Sequence, residues 1–320
     1  ADPSLHFRIG NVAFGYMGTL LLRLVEDHKA TLDDPVSKWL PDTDLPSADK
    51  VTLRMLVQNT SGYPDYIGND GFEKPFEVNP FAPWTPQQLI DIGLSIPPYY
   101  APGTAWNYAH TNYVILGQAL EAIGGEKLGR LIADQIIKPL HLKDTAPVLS
   151  PDVPAPIMHS YSSERGPFEE TTFWNPSWHT APGGVITSTV CDMATSTAAI
   201  GSGQLLQPSS YAELVTPAQA SLRPPPPACS ACRQWGKNTF YGLGVLVSNG
   251  WVYQSPLFGG AGGVAAYLPD QGLTVALLAV SGKNTKPGTN VAMQIWAELA
   301  QELTPDHVPG PPVVDPGPPS

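Results

Sequence analysis

The sequence predicts an α/β fold of the α+β kind, a mostly helical lobe packed on an antiparallel sheet. Three observations carry this. Apolar residues recur at helical spacing through much of the first 235 positions, beginning with Met17, Leu20, Leu21, Leu24 and Val25. After residue 238 the pattern changes to β-branched and aromatic runs at 240–247, 264–268 and 273–280, separated by Gly and Asn. Residues 289–303 then return to helical spacing, with Val291, Ile295, Trp296 and Leu299 on one face.

In chain order, residues 11–28 form the first helix, and Asn11 at its start is a suitable N-cap. Leu32-Asp33-Asp34-Pro35-Val36 is a turn into a short helix that ends before Pro41, and 51–59 form another. Residues 63–105 are dense in Pro, Gly and aromatics and read as irregular surface structure, with one helix at 85–94. A long helix at about 110–123 stops at Gly124-Gly125, and a second spans 126–138 before Pro139. Helical patterns recur within 183–200 and at 205–216. The tail 304–320 holds seven prolines and is expected to be an extended or mobile extension rather than a packed element.

The 320 residues are 42% hydrophobic, which supports a sizeable core, while 36 Pro and 30 Gly imply many loops. A formal net charge of −11 argues against nucleic-acid binding, which needs a basic footprint. No run of 18 apolar residues suggests a membrane span. Cys229-Ser-Ala-Cys232 follows four prolines. It could be a redox pair, half a zinc site, or a small disulfide stapling a surface loop. The lack of a second ligand pair favours the staple. Cys191 lies in a helical pattern and reads as buried.

Residues 7–36 read FRIGNVAFGYMGTLLLRLVEDHKATLDDPV. Without a gap, this string resembles the stretch around the nucleophile in the serine β-lactamase / penicillin-binding-protein-like family (class C β-lactamases, DD-peptidases and related esterases). There it reads roughly FRIGS-x-x-K, an apolar helix, then LDDPV. Thr60-Ser61-Gly62-Tyr63-Pro64-Asp65 resembles the family's HTSGLPDY loop, and residues 106–113, WNYAHTNY, its WxYSNTNY. GGVITSTVCDMATSTAAI at 183–200 resembles its GG-x-x-STA-x-DMA helix entry, and Tyr267-Leu268-Pro269-Asp270 its YLPD.

The resemblance covers about residues 5–303. It implies a β-lactamase/transpeptidase-like fold in a single domain at 1–303, with a helical lobe at about 40–235. The sheet and its flanking helices would come from about 5–30 and 238–303, followed by the Pro-rich tail at 304–320. Family members carry several dozen residues before the nucleophile motif, forming a helix and two strands. The sheet is therefore expected to lack those strands and to expose an edge.

Acyl transfer in that family needs a hydroxyl nucleophile, a nearby base and donors aimed at the developing oxyanion. The resemblance puts Asn11 in the place of the serine and Phe14 in the place of the lysine. A carboxamide nitrogen, its lone pair delocalised, is a very poor nucleophile, and a phenyl ring can neither accept a proton nor stabilise an anion. Losing a nucleophile costs several orders of magnitude in rate, and losing its partner as well adds little. Tyr108 matches the family's catalytic tyrosine, a base in class C enzymes, while His110 replaces the asparagine two residues on. The family's Lys/His-x-Gly strand is matched by residues 258–263, which puts Gly260 where the cation should stand. Gly262 and Asn112 are expected to line the cleft. Lys283 and Lys286 follow the next strand in a loop, and the glycines lack the Gly-Lys-Ser/Thr ending of a phosphate loop. His159 and His179 lack metal-like spacing, and neither a metal nor any other cofactor is called for.

These replacements imply a catalytically impaired relative that keeps the fold to bind a peptide, a cell-wall fragment or an ester-like small molecule. The other reading is an altered hydrolase, an esterase or amidase in which Tyr108 and His110 activate water or substrate near neutral pH. An open sheet edge would permit self-association. The resemblance and the disulfide candidate together imply a secreted or cell-envelope protein.

Overall fold

The computed structural model describes residues 2–148 and 150–310. β1 (Phe7–Arg8) leads into α1 (Val12–Glu26), and α2 (Val36–Trp39), α3 (Leu53–Val57), α4 (Asp70–Val78), α5 (Pro86–Gly93) and α6 (His110–Gly124) follow. α7 (Leu128–Ile132) continues as one π-helical turn over Ala133–Ile137. Next come the short strands β2 (Ala146–Pro147), β3 (Tyr161–Ser162), β4 (Glu169–Glu170) and β5 (Ile186–Ser188), then α8 (Val190–Gly201) and α9 (Pro208–Leu214). β6 (Thr239–Tyr241), β7 (Leu246–Ser248), β8 (Trp251–Gln254), β9 (Leu257–Phe258), β10 (Ala261–Leu268), β11 (Leu273–Val280) and α10 (Val291–Leu303) complete the order. This is helical lobe against antiparallel sheet, as expected.

The main sheet runs β11-β10-β8-β7-β6, with β9 also paired to β10, and every ladder in it is antiparallel. α8 and α10 both pack on β10 and β11. α1 was expected to bury one broad stripe. In fact Val12 to Leu22 are all buried, as is Leu24, because the helix is wedged between the helical lobe and the sheet. Two glycines permit that wedge. A Cβ on Gly18 would lie 2.0 Å from the Leu243 carbonyl oxygen, and one on Gly244 (φ +81°) 2.3 Å from that of Phe14. The turn between β6 and β7 thus meets the backbone of α1 directly.

Several expectations need correction. The single strand read at 240–247 is two strands, β6 and β7, because Gly242-Leu243-Gly244 turns back at α1. The irregular stretch 63–105 contains α4, which tolerates Pro75 in its interior. Cys191 is exposed on α8. Residues 304–310 are not a free extension. His307 and Val308 carbonyls accept from Trp251 Nε1 (2.7 Å) and Asn249 Nδ2 (2.6 Å), and Gly310 N donates to Ser248 Oγ (2.9 Å). The rest of the expected tail, 311–320, lies outside the described residues. β11 has no strand on its outer side among the described residues, and all eight of its residues are half-buried.

Candidate functional site

Two helix heads meet at the centre of the molecule. The first is set by β1, which pairs with β5 (Phe7↔Ser188, Arg8↔Thr187), while Ile9 N donates to the Ile186 carbonyl. Gly10, at φ +53°, then turns the chain into α1. A Cβ there would lie 2.7 Å from Pro256 Cβ and 3.7 Å from His179 Nε2, so α1 begins against the β8–β9 connection and His179. Asn11 precedes α1 but does not cap it: its side chain makes no cap bond, and Oδ1 is buried without a partner among the described residues.

The second head is that of α6. Its N-cap position is Ala109, whose methyl group cannot accept a hydrogen bond. Acceptors come instead from the loop after α3. Asn59 Oδ1 takes Ala109 N (3.2 Å) and Asn112 Nδ2 (2.9 Å). Asp65 Oδ1 takes His110 N (3.1 Å), and Asp65 Oδ2 takes His110 Nδ1 (2.8 Å). A carboxylate here satisfies the helix's first donors, complements its positive end and holds the imidazole in a defined orientation. The Cys229–Cys232 disulfide braces the approach: Cys232 bridges Asn107, and Arg233 N donates to the Trp106 carbonyl.

Phe14 fills the space between the heads. It is fully buried and lies flat on Tyr113, ring centroids 3.6 Å apart and planes within 5°. Tyr108 is 6.2 Å away, His110 6.0 Å and His179 6.1 Å, and Tyr108 lies edge-on to His110 at 5.0 Å. Behind Tyr113 is a buried polar layer: its hydroxyl pairs with that of Tyr241 (2.7 Å), and Ser61 Oγ donates to Asn112 Oδ1 (2.6 Å), while Asn59 Nδ2 is buried without a partner among the described residues.

The structure thus gathers Phe14, Tyr108 and His110 around one point, with Asn11 one turn before Phe14, but not the other three residues expected there. Gly260 sits at the turn into β10 under the β3–β4 hairpin, where a Cβ would lie 1.8 Å from the Tyr161 carbonyl oxygen. The segment beside the start of α1 is the β8–β9 connection, with Pro256. Gly262 faces Asn290, and Asn112 is fully buried in the polar layer, so neither lines a cleft. Lys283 and Lys286 are exposed in the loop after β11, and His159 pairs with Glu170 at the surface.

Two further residues of the site were not singled out from the sequence. His179 is buried, and desolvation, then repulsion from His110 and Arg8, lower its pKa to about 3, so it is neutral at physiological pH. Asp65 stood in a recognised string, and the clue to its role was the poor capping residue Ala109. Arg8, driven by burial down to about 10, donates to the Thr172 and Pro151 carbonyls and lies over Phe258. The recess beside Gly10, His179 and Phe258 is about 10 Å³, room for about one water. No three His, Cys, Asp or Glu among the described residues could hold a metal ion.

Comparisons place this geometry among known proteins. The Beta-lactamase family model matches residues 1–300. PbpX of Bacillus subtilis, a penicillin-binding protein homologue, is 31% identical over 139 residues, 43% of this chain and 32% of that protein. The chain thus spans about a third of the length of the curated relatives it matches. A D-stereospecific amidohydrolase from Streptomyces sp. superposes with a TM-score of 0.74 at 29% identity, covering 85% of this chain and 81% of that one. The D-amino acid amidase of Ochrobactrum anthropi superposes with a TM-score of 0.71 at 24% identity, covering 89% and 79%, a likeness of fold.

Proposed function

The chain belongs to the Beta-lactamase family, and from that premise we propose that it is a member in which serine acyl transfer is silenced and the fold serves binding. The observation that carries this is Phe14, stacked on Tyr113 one turn after Asn11. An amide and a benzene ring stand where acyl capture would need an alcohol and an amine. The recess beside Gly10, His179 and Phe258, about 10 Å³, has room for about one water. A peptide, cell-wall fragment or ester-like molecule remains the class of ligand, and a secreted or envelope location fits that class.

A second reading is favoured by one observation, the Asp65–His110 pair at 2.8 Å. A carboxylate on Nδ1 holds the proton there and puts the basic lone pair on Nε2, the arrangement a general base requires. An esterase or amidase built this way would use His110, with Tyr108 beside it, on water or substrate.

Turnover of a chromogenic cephalosporin, a D-amino acid amide and a p-nitrophenyl ester separates the two. The silenced reading expects rates no higher than the uncatalysed background. Turnover removed by His110→Ala and reduced by Asp65→Asn would establish the second reading in its place.

A further inference from the structure

We propose that the surface formed by α4, the turn that follows it and the β3–β4 hairpin docks a basic, apolar-rich polypeptide segment. Four of the exposed large apolar side chains fall on these elements, Val78 and Phe81, 82% and 56% exposed, with Tyr161 and Phe168, and a fifth, Phe173, follows the hairpin. Hydrogen bonds draw them together. Asn175 N donates to the Pro80 carbonyl (2.8 Å) and Asn175 Nδ2 to that of Phe81 (3.4 Å), while Arg165 Nε donates to the Glu77 carbonyl (2.7 Å). Tyr161 and Phe168 stack at 5.6 Å. Exposed apolar groups gathered in this way mark interaction sites.

The surface is also preformed. Beneath it, Phe76 meets Trp174 and Trp178 edge-on at 5.4 and 5.5 Å, and Phe72 packs on Trp84 at 5.1 Å. A partner would have little to order on this side, which lowers the cost of association.

Charge selects the partner. Nearby cations are already matched, Lys74 with Asp70 and Arg165 with Glu169, while His159 Nδ1 is hydrogen-bonded with Glu170. Glu73, Glu77 and Glu164 have no ion-pair partner among the described residues. Burial and the neighbouring Glu73 carboxylate raise the Glu164 pKa, against a hydrogen bond from Ser162 that lowers it. An apolar patch beside surplus carboxylates favours aliphatic or aromatic side chains interspersed with Lys or Arg. It disfavours an anionic bilayer, which attracts basic surfaces. The proposal does not depend on whether the cleft turns anything over.

The test reads binding alone. A fluorescent peptide alternating Lys and Leu is titrated into the protein, against a Glu–Leu peptide and phosphatidylglycerol vesicles. The Lys–Leu peptide should bind about tenfold or more tighter than Glu–Leu, and Phe81→Ser with Phe168→Ser should weaken it by about tenfold. Glu73→Gln with Glu77→Gln and Glu164→Gln should weaken it mainly at low salt. The remote triple variant Asp42→Asn, Asp44→Asn, Asp49→Asn should leave it unchanged, and unaltered thermal midpoints show that all variants fold. Absence of binding, an equal effect of the remote variant, insensitivity to the Phe substitutions, or preference for the vesicles would each overturn the proposal.

Discussion

A phenyl ring lies parallel to Tyr113 at 3.6 Å, one turn into α1, with Tyr108 6.2 Å away. The same ring is core, so Phe14→Ala should cost about 3–5 kcal/mol in urea unfolding, and a loss under about 1 kcal/mol would mean the stack is not as described. His179 makes a separate prediction. Unfolded, it titrates near 6.5; folded, it stays neutral to about 3. Below pH ~6.5 the unfolded chain therefore binds more protons, and stability present above that pH is lost as pH falls towards 3. By pH 5 this group alone should remove about 2 kcal/mol. His179→Gln should flatten the decline between pH 7 and 5 by that amount, and an unchanged slope would contradict the assignment. The closeness of Phe14, Tyr108 and His110 was legible because linear motifs carry them. Asp65 and His179 acquire their roles only through tertiary contact, and Gly260 was misplaced because the hairpin that covers it is remote in sequence.

Among the elements, α1 shows how packing exceeds what periodicity can tell. Met17, Leu20, Leu21, Leu24 and Val25 announced a helix, but its burial on nearly every side depends on glycines meeting a turn more than 200 residues away. Gly18→Ala would drive a methyl group into the Leu243 carbonyl, which cannot yield without moving β6 and β7. We expect a loss of about 1–3 kcal/mol in thermal unfolding, and a neutral or stabilising result would contradict the close approach. The same turn hid the hairpin, since Phe240 to Val247 reads as one strand until Gly242 and Gly244 are seen to reverse it. α4 was missed because Pro75 and its loop-like surroundings mask an amphipathic turn. Residues 304–310 were misjudged on proline content, although Trp251 and Asn249 supply donors that hold them.

Over the whole molecule, the order of helical lobe, strands and closing helix was readable because hydrophobic period changes along the chain. β11 has no strand on its outer side among the described residues. β11 reads LTVALLAV, with no charge or proline to discourage pairing. Ile295, Leu299 and Leu303 on the adjoining α10 are exposed. Concentration-dependent self-association is expected in sedimentation velocity, and Thr274→Lys with Ala276→Lys should suppress it. A chain that sediments as a monomer at every concentration would contradict that expectation.

The central claim is that the head of α1 can no longer hold an acyl group. Intact-protein mass spectrometry after prolonged incubation with excess penicillin tests it most directly. The account predicts an unchanged mass, and an adduct of one penicillin per chain, mapped by peptide analysis to residues around the head of α1, would contradict it.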